Sequence, residues 1–274
     1  MNLGLGLGFA RRPATGGAPP APDLDAEVQA FLSGSTGFAL DPSDLAVLFQ
    51  DAAGTTPVTT GGQPVGRVNG KWGTAASFIS QSTGAAQPVW SGSAALTCDE
   101  VDDEMRGLSG DILATFNNVA AAFGGVRFRV ASLAAARGLF MWNNTSSSSP
   151  RFSAFVNTDG SVGVAGRRLD ADSAWTFTSA TGLVTTGVAY TVTVQLNYST
   201  GAIVVRLDGS AVITDNIGGS GNTSATNSNR TGWGLTYGST RYAPSRLGRG
   251  VAAPKLPSAG ELTSVEAWLA EVAL

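Results

Sequence analysis

The stretch YTVTVQLNYSTGAIVVRLDG, residues 190–209, limits what this 274-residue chain can fold into more than any other segment. Polar and apolar residues alternate on both sides of the turn sequence STG, which is the pattern of two antiparallel strands joined by a hairpin. Val192, Val194 and Leu196 share one face of the first strand, and threonine and glutamine share the other. A sheet with one apolar face needs a second layer to cover it, so this hairpin predicts a layered β protein.

Several further segments show the same two-residue period and are predicted as strands. The chain has 36 glycines and only 14% charged residues, a composition that suits many tight turns. Short strands, frequent turns and helical patterns only near the chain ends predict an all-β sandwich of jelly-roll type. The additional predicted strands are RFRV (127–130), FSAFVN (152–157) and SVGVAG (161–166), the last two joined by the turn TDG (158–160).

Three segments have helical patterns. Residues 23–33 are predicted as a short helix that Asp23 or Asp25 would cap, with Val28, Phe31 and Leu32 at helical spacing. Residues 41–50, DPSDLAVLFQ, are predicted as a second short helix, with Asp41 as its cap and proline at its first position. A third helix closes the chain, and Ser258 and Glu261 have the spacing of a capping box at its start.

The first 22 residues are rich in glycine, leucine, alanine and proline and lack the side-chain bulk to fold alone. Leucine alternates with glycine, so an extended chain would place apolar side chains on one face and only hydrogen on the other. This shape suits addition of a strand to a partner's sheet edge, and a disordered terminus is the alternative. The candidate anchoring residues are Leu3, Leu5, Leu7 and Phe9.

These patterns divide the chain into three parts. Residues 1–22 are an extended anchoring arm, residues 23–68 a short helical lead-in, and residues 69–274 a jelly-roll sandwich with a closing C-terminal helix. We therefore expect one rigid body preceded by a flexible arm.

Composition excludes several classes of function. The chain has no histidine, which excludes Ser-His-Asp and Cys-His catalysis and imidazole-bound zinc. A net charge of −3 with scattered basic residues predicts no nucleic-acid partner, and no apolar run reaches the length of a membrane span. The single cysteine, Cys98, cannot form an intrachain disulfide, and the glycine-broken start does not fit a signal peptide, so synthesis in the cytoplasm is expected.

The segment GFALDPSDLAVLFQDAAGTTPVTTGGQPVGRV, residues 37–68, resembles an opening segment of many tailed-phage virion proteins. In those proteins a short helix carries the phrase DLxxLFQDxxGTTPVT, and G-x-PVG follows. The stretch LTCDEVDDEM, residues 96–105, resembles the L-x-F-D-G-V-D-D-x-L turn of the laminin-G and concanavalin-like jelly rolls that such proteins often carry. The matching residues of the first phrase are Asp44, Leu45, Leu48, Phe49, Gln50, Asp51, Gly54, Thr55, Thr56, Pro57, Val58, Pro64, Val65 and Gly66.

The resemblance covers residues 37–274, and the arm also resembles short N-terminal pieces of virion and gene-transfer-agent proteins. It implies a concanavalin-like fold and a place on the surface of a phage-like particle, as a tail fibre or head spike. The arm would attach to other virion proteins, and the jelly roll would bind a host surface polysaccharide. Fibres and spikes are usually symmetric, so a homo-oligomer is implied, a trimer by analogy. A decoration protein without any ligand is an alternative.

The stretch CDEVDDEM, residues 98–105, concentrates five carboxylates and permits three interpretations. Asp99, Asp102 and Asp103 can supply oxygen ligands to calcium, although the sequence lacks a D-x-D-x-D-G loop. The interpretation we favour is a charged turn whose aspartates accept hydrogen bonds from nearby backbone N–H groups.

The third interpretation is glycoside hydrolysis by Glu100 and Glu104, because concanavalin-like hydrolases carry a similar E-[ILV]-D-x-E pattern on one strand. A retaining mechanism needs two carboxyl groups about 5 Å apart. On such a strand, however, Asp103 would be a buried and unpaired charge. We therefore expect no catalytic role for this protein, and the hydrolase remains the alternative.

Glycan binding by a jelly roll needs exposed aromatic faces next to amides. Two tryptophans lie beside polar stretches, one before NNTSSSS and one after an asparagine-rich loop. Burial in the core is the competing expectation for each of them. The candidate carbohydrate-binding residues are Trp142, Asn143, Asn144, Trp233 and Tyr237.

Overall fold

Two antiparallel β-sheets face each other across one core, and the predicted β-sandwich with a closing helix is confirmed. The structure is a computed structural model that describes residues 21–73, 77–107, 110–144, 150–226, 230–235 and 242–274. All but the last two residues of the predicted arm lie outside these ranges. The strands are β1 (Phe38–Leu40), β2 (Leu48–Phe49), β3 (Arg67–Asn69), β4 (Trp72–Gly73), β5 (Phe78–Ser80), β6 (Val89–Trp90), β7 (Leu96–Thr97), β8 (Met105–Gly107), β9 (Ala121–Arg129), β10 (Arg137–Asn144), β11 (Pro150–Val156), β12 (Val162–Gly166), β13 (Trp175–Thr178), β14 (Ala189–Asn197), β15 (Ala202–Leu207), β16 (Ser210–Asn216), β17 (Arg230–Trp233) and β18 (Arg246–Ala253).

Helices occur near both ends of the chain, as the sequence predicts, and a short helix that the sequence patterns do not predict lies in the middle, at Gly110–Ala114. Asp23 accepts a hydrogen bond from the Ala26 N–H at 3.1 Å and caps the first helix. Ser258 and Glu261 form the predicted capping box of the last helix, with the Ser258 N–H donating to the Glu261 carboxylate at 2.7 Å. None of the described helices is long and apolar enough to span a membrane. The helices are α1 (Leu24–Leu32), α2 (Gly110–Ala114) and α3 (Ala259–Ala270).

The first sheet has the order β16-β15-β14-β9-β18-β1-β4, and β7 and β6 extend it beside β18. The hairpin predicted at residues 190–209 is β14 and β15, with Val192 opposite Leu207 and Leu196 opposite Ile203. Its apolar face is buried in the core, as the alternation predicts.

The second sheet has the order β13-β12-β11-β10-β17-β8-β5-β3-β2. The hairpin predicted around TDG is β11 and β12, with Phe152 opposite Gly166 and Val156 opposite Val162. Strand β13 lies at one edge of this sheet and β16 at one edge of the first. The chain that leads into β13 and the chain that follows β16 therefore meet at one seam of the sandwich.

A charged network fastens the two end helices to the outer face of the first sheet. Asp41 is fully buried and forms ion pairs with Lys71 and Arg249. Lys71 Nζ lies 2.8 Å and Arg249 Nε 3.2 Å from its carboxylate. Burial raises the pKa of Asp41, but the hydrogen bond from Lys71 and the charge of Arg249 offset it, and the net pKa lies below the ordinary value. Asp25 on α1 accepts hydrogen bonds from Lys71 and from Trp268 Nε1, the latter at 2.8 Å.

The helix predicted over residues 41–50 is wrong. A single 3-10 turn forms at Leu45–Val47, and Leu48 and Phe49 become strand β2 and pair with β3. Sheet hydrogen bonds and burial of Leu48 outweigh the local helical signals. The expected cap, Asp41, accepts a hydrogen bond from the Ser43 N–H at 3.0 Å and also pairs with Lys71 and Arg249. Residues 23–68 therefore supply β1 to the first sheet and β2 and β3 to the second, and they are part of the sandwich.

The phrase that carries the virion resemblance builds a tight loop between β2 and β3. The Asp51 carboxylate accepts hydrogen bonds from the N–H groups of Thr55 at 3.1 Å and Thr56 at 2.6 Å. The bond from Thr55 is the largest cause that lowers the pKa of Asp51 well below its usual range. A side chain on Gly66 would lie 2.6 Å from the Gln50 carbonyl oxygen, so only glycine fits there. These residues of the phrase therefore serve the fold.

Candidate functional site: an acidic turn and a seam cleft

Residues 98–104 form a turn between β7 and β8, which we call the acidic turn. Asp99 accepts hydrogen bonds from the N–H groups of Val101 at 2.8 Å and Asp102 at 3.3 Å. Asp103 accepts one from the Asp99 N–H at 2.7 Å. The predicted charged turn with internally bonded aspartates is confirmed.

Glu100 holds the acidic turn against the rest of the sandwich. Its backbone has φ +64°, a left-handed conformation that costs a residue with a side chain about 1 kcal/mol. The resembled turn motif has glycine at this place. Here the Glu100 carboxylate accepts hydrogen bonds from the N–H groups of Ala131 at 2.9 Å and Ser245 at 3.0 Å. It also forms an ion pair with Arg137, whose Nη2 lies 3.1 Å away. These contacts offset the strain and join the turn to the loop after β9 and the chain before β18.

The carboxylates of the three aspartates lie together, with ligand atoms within 4.8 Å of one another. Burial, together with the charges of Asp99 and Asp102, raises the pKa of Asp103 to about 6, although the Asp99 N–H opposes the shift. A proton on Asp103 or a hard cation such as calcium would relieve this repulsion. Two of the carboxylate oxygens already accept backbone hydrogen bonds, so the cluster is first of all part of the turn.

The hydrolase alternative needs Glu100 and Glu104 on one face of a strand, but neither glutamate lies on a strand. Pairing of β8 begins only at Met105, after both glutamates. Glu100 contacts Arg137, and the buried Glu104 forms an ion pair with Arg106. The acidic turn therefore does not present two free carboxylates to a common space.

The two tryptophans predicted to bind glycan are buried, and this prediction is wrong for both. Trp142 is 1% exposed and Trp233 0%. The Trp142 ring lies over Gly124 and the Trp233 ring over Gly250, two glycines of the opposite sheet whose missing side chains make the room. Neither indole can stack on a ligand from outside.

The remaining predicted site residues lie outside what the structure describes. Asn143 and Asn144 end strand β10, but the described parts do not include their side chains. The other predicted residues without a description are Tyr237 and, in the arm, Leu3, Leu5, Leu7 and Phe9.

A cleft of about 270 Å³ opens at the seam where β13 and the chain after β16 approach each other. It combines an aromatic ring, a guanidinium group, a carboxylate and a hydroxyl with the backbone of a glycine pair. We call it the seam cleft. Its lining residues are Arg168, Asp172, Ser173, Trp175, Ile217, Gly218 and Gly219.

Trp175 supplies the aromatic wall of the seam cleft. Its ring stacks on Phe177 with centroids 5.8 Å apart and an interplanar angle of 29°. A side chain on Gly166 would lie 2.6 Å from the Trp175 ring, so the glycine at this position allows the indole to pack closely on β12. Trp175 remains partly exposed, and its buried Nε1 has no hydrogen-bond partner among the described residues.

Arg168 supplies the positive charge. Its Nη1 donates to the Ser220 carbonyl oxygen at 2.7 Å, and its Nη2 lies 3.4 Å from Asp172 Oδ2. Its Nε is buried and has no hydrogen-bond partner within the described ranges. A side chain on Gly221 would lie 3.3 Å from Nη1, so the glycine-rich loop passes close to the guanidinium. The seam cleft thus holds a guanidinium whose donors are only partly used.

The sequence contained weak signals for this site. Trp175 alternates with Phe177, and Arg168 lies in an exposed-looking basic pair, but neither pattern points to the other. Ile217 and the glycines that complete the cleft lie more than forty positions further along the chain. Only the stacking of the two sheets brings these segments together.

Comparisons with known proteins give similarity in fold alone. No protein-family model matches the chain, and no curated protein matches it. Among solved structures, the binding domain of Paraclostridial Mosquitocidal Protein 1 matches 64% of this chain and 43% of its own, with 11% identity and a TM-score of 0.49. The CBM40 of the Ruminococcus gnavus IT-sialidase, solved with alpha2,3 sialyllactose, matches 54% and 83%, with 18% identity and a TM-score of 0.45. A SAP-like pentraxin from Limulus polyphemus matches 54% and 70%, with 17% identity and a TM-score of 0.40.

Proposed function

We propose that this protein is a non-enzymatic binding module that recognises polysaccharide through the seam cleft. The carrying observation is that one open concavity combines the partly exposed indole of Trp175 with the charged groups of Arg168 and Asp172. A sugar ring has apolar C–H faces that stack on an aromatic ring and hydroxyl groups that bond to charged side chains. The seam cleft offers both kinds of contact at one place.

We further propose that the module is displayed on the surface of a phage-like particle, as a tail fibre or head spike. The support is the sequence resemblance of residues 37–68 and 96–105 to tailed-phage virion proteins. In this proposal the arm, residues 1–22, attaches to other virion proteins and the sandwich faces the host. The protein acts there as a homo-oligomer, with a trimer favoured by analogy.

Binding is tested with the full chain on an array of bacterial surface polysaccharides. We expect binding to at least one of them, and we expect Trp175→Ala to weaken it by about tenfold through loss of the stacking surface. The matched control is Trp72→Ala, which also removes a partly exposed indole ring. Trp72 lies on β4, whereas β16, which borders the seam, lies at the other edge of the same sheet. Equal affinity of wild type and Trp175→Ala would contradict the assignment of the site.

The particle location is tested by gold labelling with an antibody against this chain. We expect label on particles released from producing cells, and we expect deletion of residues 2–12 to remove it. Unlabelled particles would contradict the virion role and leave the binding proposal standing. Labelled particles from a chain that binds no glycan would instead favour the ligand-free decoration protein.

A further inference from the structure

We propose that the seam cleft selects saccharides that carry a carboxylate, with Arg168 as the residue that binds the acid group. The inference rests on the proposed glycan-binding function and adds the ligand class. It depends on the unused donors of Arg168 and on the distribution of charge behind the cleft.

One edge of the Arg168 guanidinium, formed by Nε and Nη2, has donors that the described residues do not fully use. Nη1 is occupied by the Ser220 carbonyl oxygen, while Nε has no hydrogen-bond partner in the described part of the chain. Among the described residues the partner of Nη2 is Asp172, whose Oδ2 lies 3.4 Å away and also accepts a hydrogen bond from the Leu169 N–H at 3.0 Å. Nε and Nη2 together form the two-donor edge that matches the two oxygens of a carboxylate. A carboxylate bound there would supply the acceptor that Nε lacks.

The charges behind the cleft leave this guanidinium incompletely neutralised. Arg151 is fully buried, and its Nη2 lies 2.7 Å from Asp170 Oδ1, so it engages that carboxylate at close range. Arg167 lies 3.8 Å from the same oxygen. Among the described side chains, the three guanidinium groups of Arg151, Arg167 and Arg168 lie next to the two carboxylates of Asp170 and Asp172, so this set of five carries one net positive charge. An incoming anion is favoured over a neutral group.

Trp175 gives the site its preference for a sugar acid over a free anion. The indole lines the same cleft and offers a flat apolar surface to the ring that bears the carboxylate. A hydroxyl-rich ring with one carboxylate uses the indole face and the guanidinium together, whereas phosphate or acetate alone uses only the guanidinium.

The test compares a galacturonic acid trimer with its carboxyl-reduced counterpart, which has the same rings with the charge removed. Binding to the full chain is measured by calorimetry at low salt. We expect the acidic trimer to bind about tenfold more tightly. Arg168→Gln should abolish this difference, and Arg168→Lys should restore it only in part, because lysine keeps the charge but loses the two-donor edge.

Asp172→Asn provides a test in the opposite direction. It removes the carboxylate that competes for Nη2, so we expect it to raise several-fold the ratio of the affinity for the acidic trimer to the affinity for the neutral trimer. The charge-matched control is Lys255→Gln, which removes one positive charge next to Phe31 on α1, away from the seam. Equal binding of the two trimers, or a loss in Lys255→Gln as large as in Arg168→Gln, would overturn the acid selectivity and leave glycan binding intact. Failure of both trimers and of every polysaccharide on the array would overturn the proposed function itself.

Discussion

The acidic turn and the seam cleft both concentrate charged side chains on the surface of the sandwich, but they use them differently. In the acidic turn the carboxylates accept hydrogen bonds from the protein's own backbone and from Arg137. In the seam cleft the guanidinium of Arg168 and the indole of Trp175 each keep a donor without a partner in the described residues. A charged cluster whose groups satisfy one another stabilises the fold, whereas a cluster with unused donors is suited to a ligand.

The difference also shows how a run of charged residues in the sequence should be interpreted. The sequence draws attention to residues 98–105, because five acids stand together there. The segment RRLDAD, residues 167–172, supplies the charged residues of the seam cleft, but its four charges are two of each sign and fit an ordinary solvated surface. The number of charges in a segment is therefore a weaker guide to a binding site than the hydrogen bonds those charges still lack.

The comparison predicts its largest effect on stability in the acidic turn. Glu100→Ala leaves the Arg137 guanidinium, whose side chain is 7% exposed, without its carboxylate, and we expect a loss of about 3 kcal/mol in the free energy of unfolding. Asp172→Ala in the seam cleft is the matched change, and there we expect less than about 1 kcal/mol because that side chain is 35% exposed. Denaturant unfolding measures both, and equal losses would mean that the two clusters do not differ in role.

A smaller effect is expected from the shared charge of the aspartates. The folded pKa of Asp103 is about 6, against 3.8 for the free side chain, so the folded state holds this proton more tightly than the unfolded chain does. The ionised form therefore costs stability above pH 6, and the cost disappears as the pH falls below 3.8. We expect Asp103→Asn to stabilise the protein by roughly 1–2 kcal/mol at pH 7.5 and to have little effect at pH 3.5.

The pH series requires unfolding curves of wild type and variant at each pH, because other carboxylates titrate over the same range. Their difference isolates Asp103. A variant that is less stable than wild type at pH 7.5 would show that the hydrogen bond from the Asp99 N–H outweighs the charge repulsion.

The smallest effect is expected from calcium. Because Asp99 and Asp103 already accept backbone hydrogen bonds, we expect 5 mM calcium to change the unfolding temperature by less than about 1 °C relative to a chelator. A rise of several degrees that Asp102→Asn abolishes would make the acidic turn a cation site and remove the contrast with the seam cleft.

Much of the fold followed from short stretches of sequence. The β14–β15 hairpin, the capping box of α3 and the hydrogen bonds accepted by Asp99 and Asp103 each involve residues close together in the chain, so local period and capping chemistry sufficed. Residues 41–50 show where this fails. Their helical signals are genuine, but pairing of Leu48 and Phe49 with a strand further along the chain overrides them.

The amino-acid sequence by itself determined the two-layer β architecture, because alternating apolar residues can be buried only by a second sheet. It did not determine which tryptophans are buried. Trp142 and Trp233 enter the core because glycines of the opposite sheet, Gly124 and Gly250, leave room for them. Trp175 lies on an edge strand and stays partly exposed. Only the tertiary structure decided this, since each outcome depends on the residue that faces the ring across the sandwich, and no local pattern records that partner.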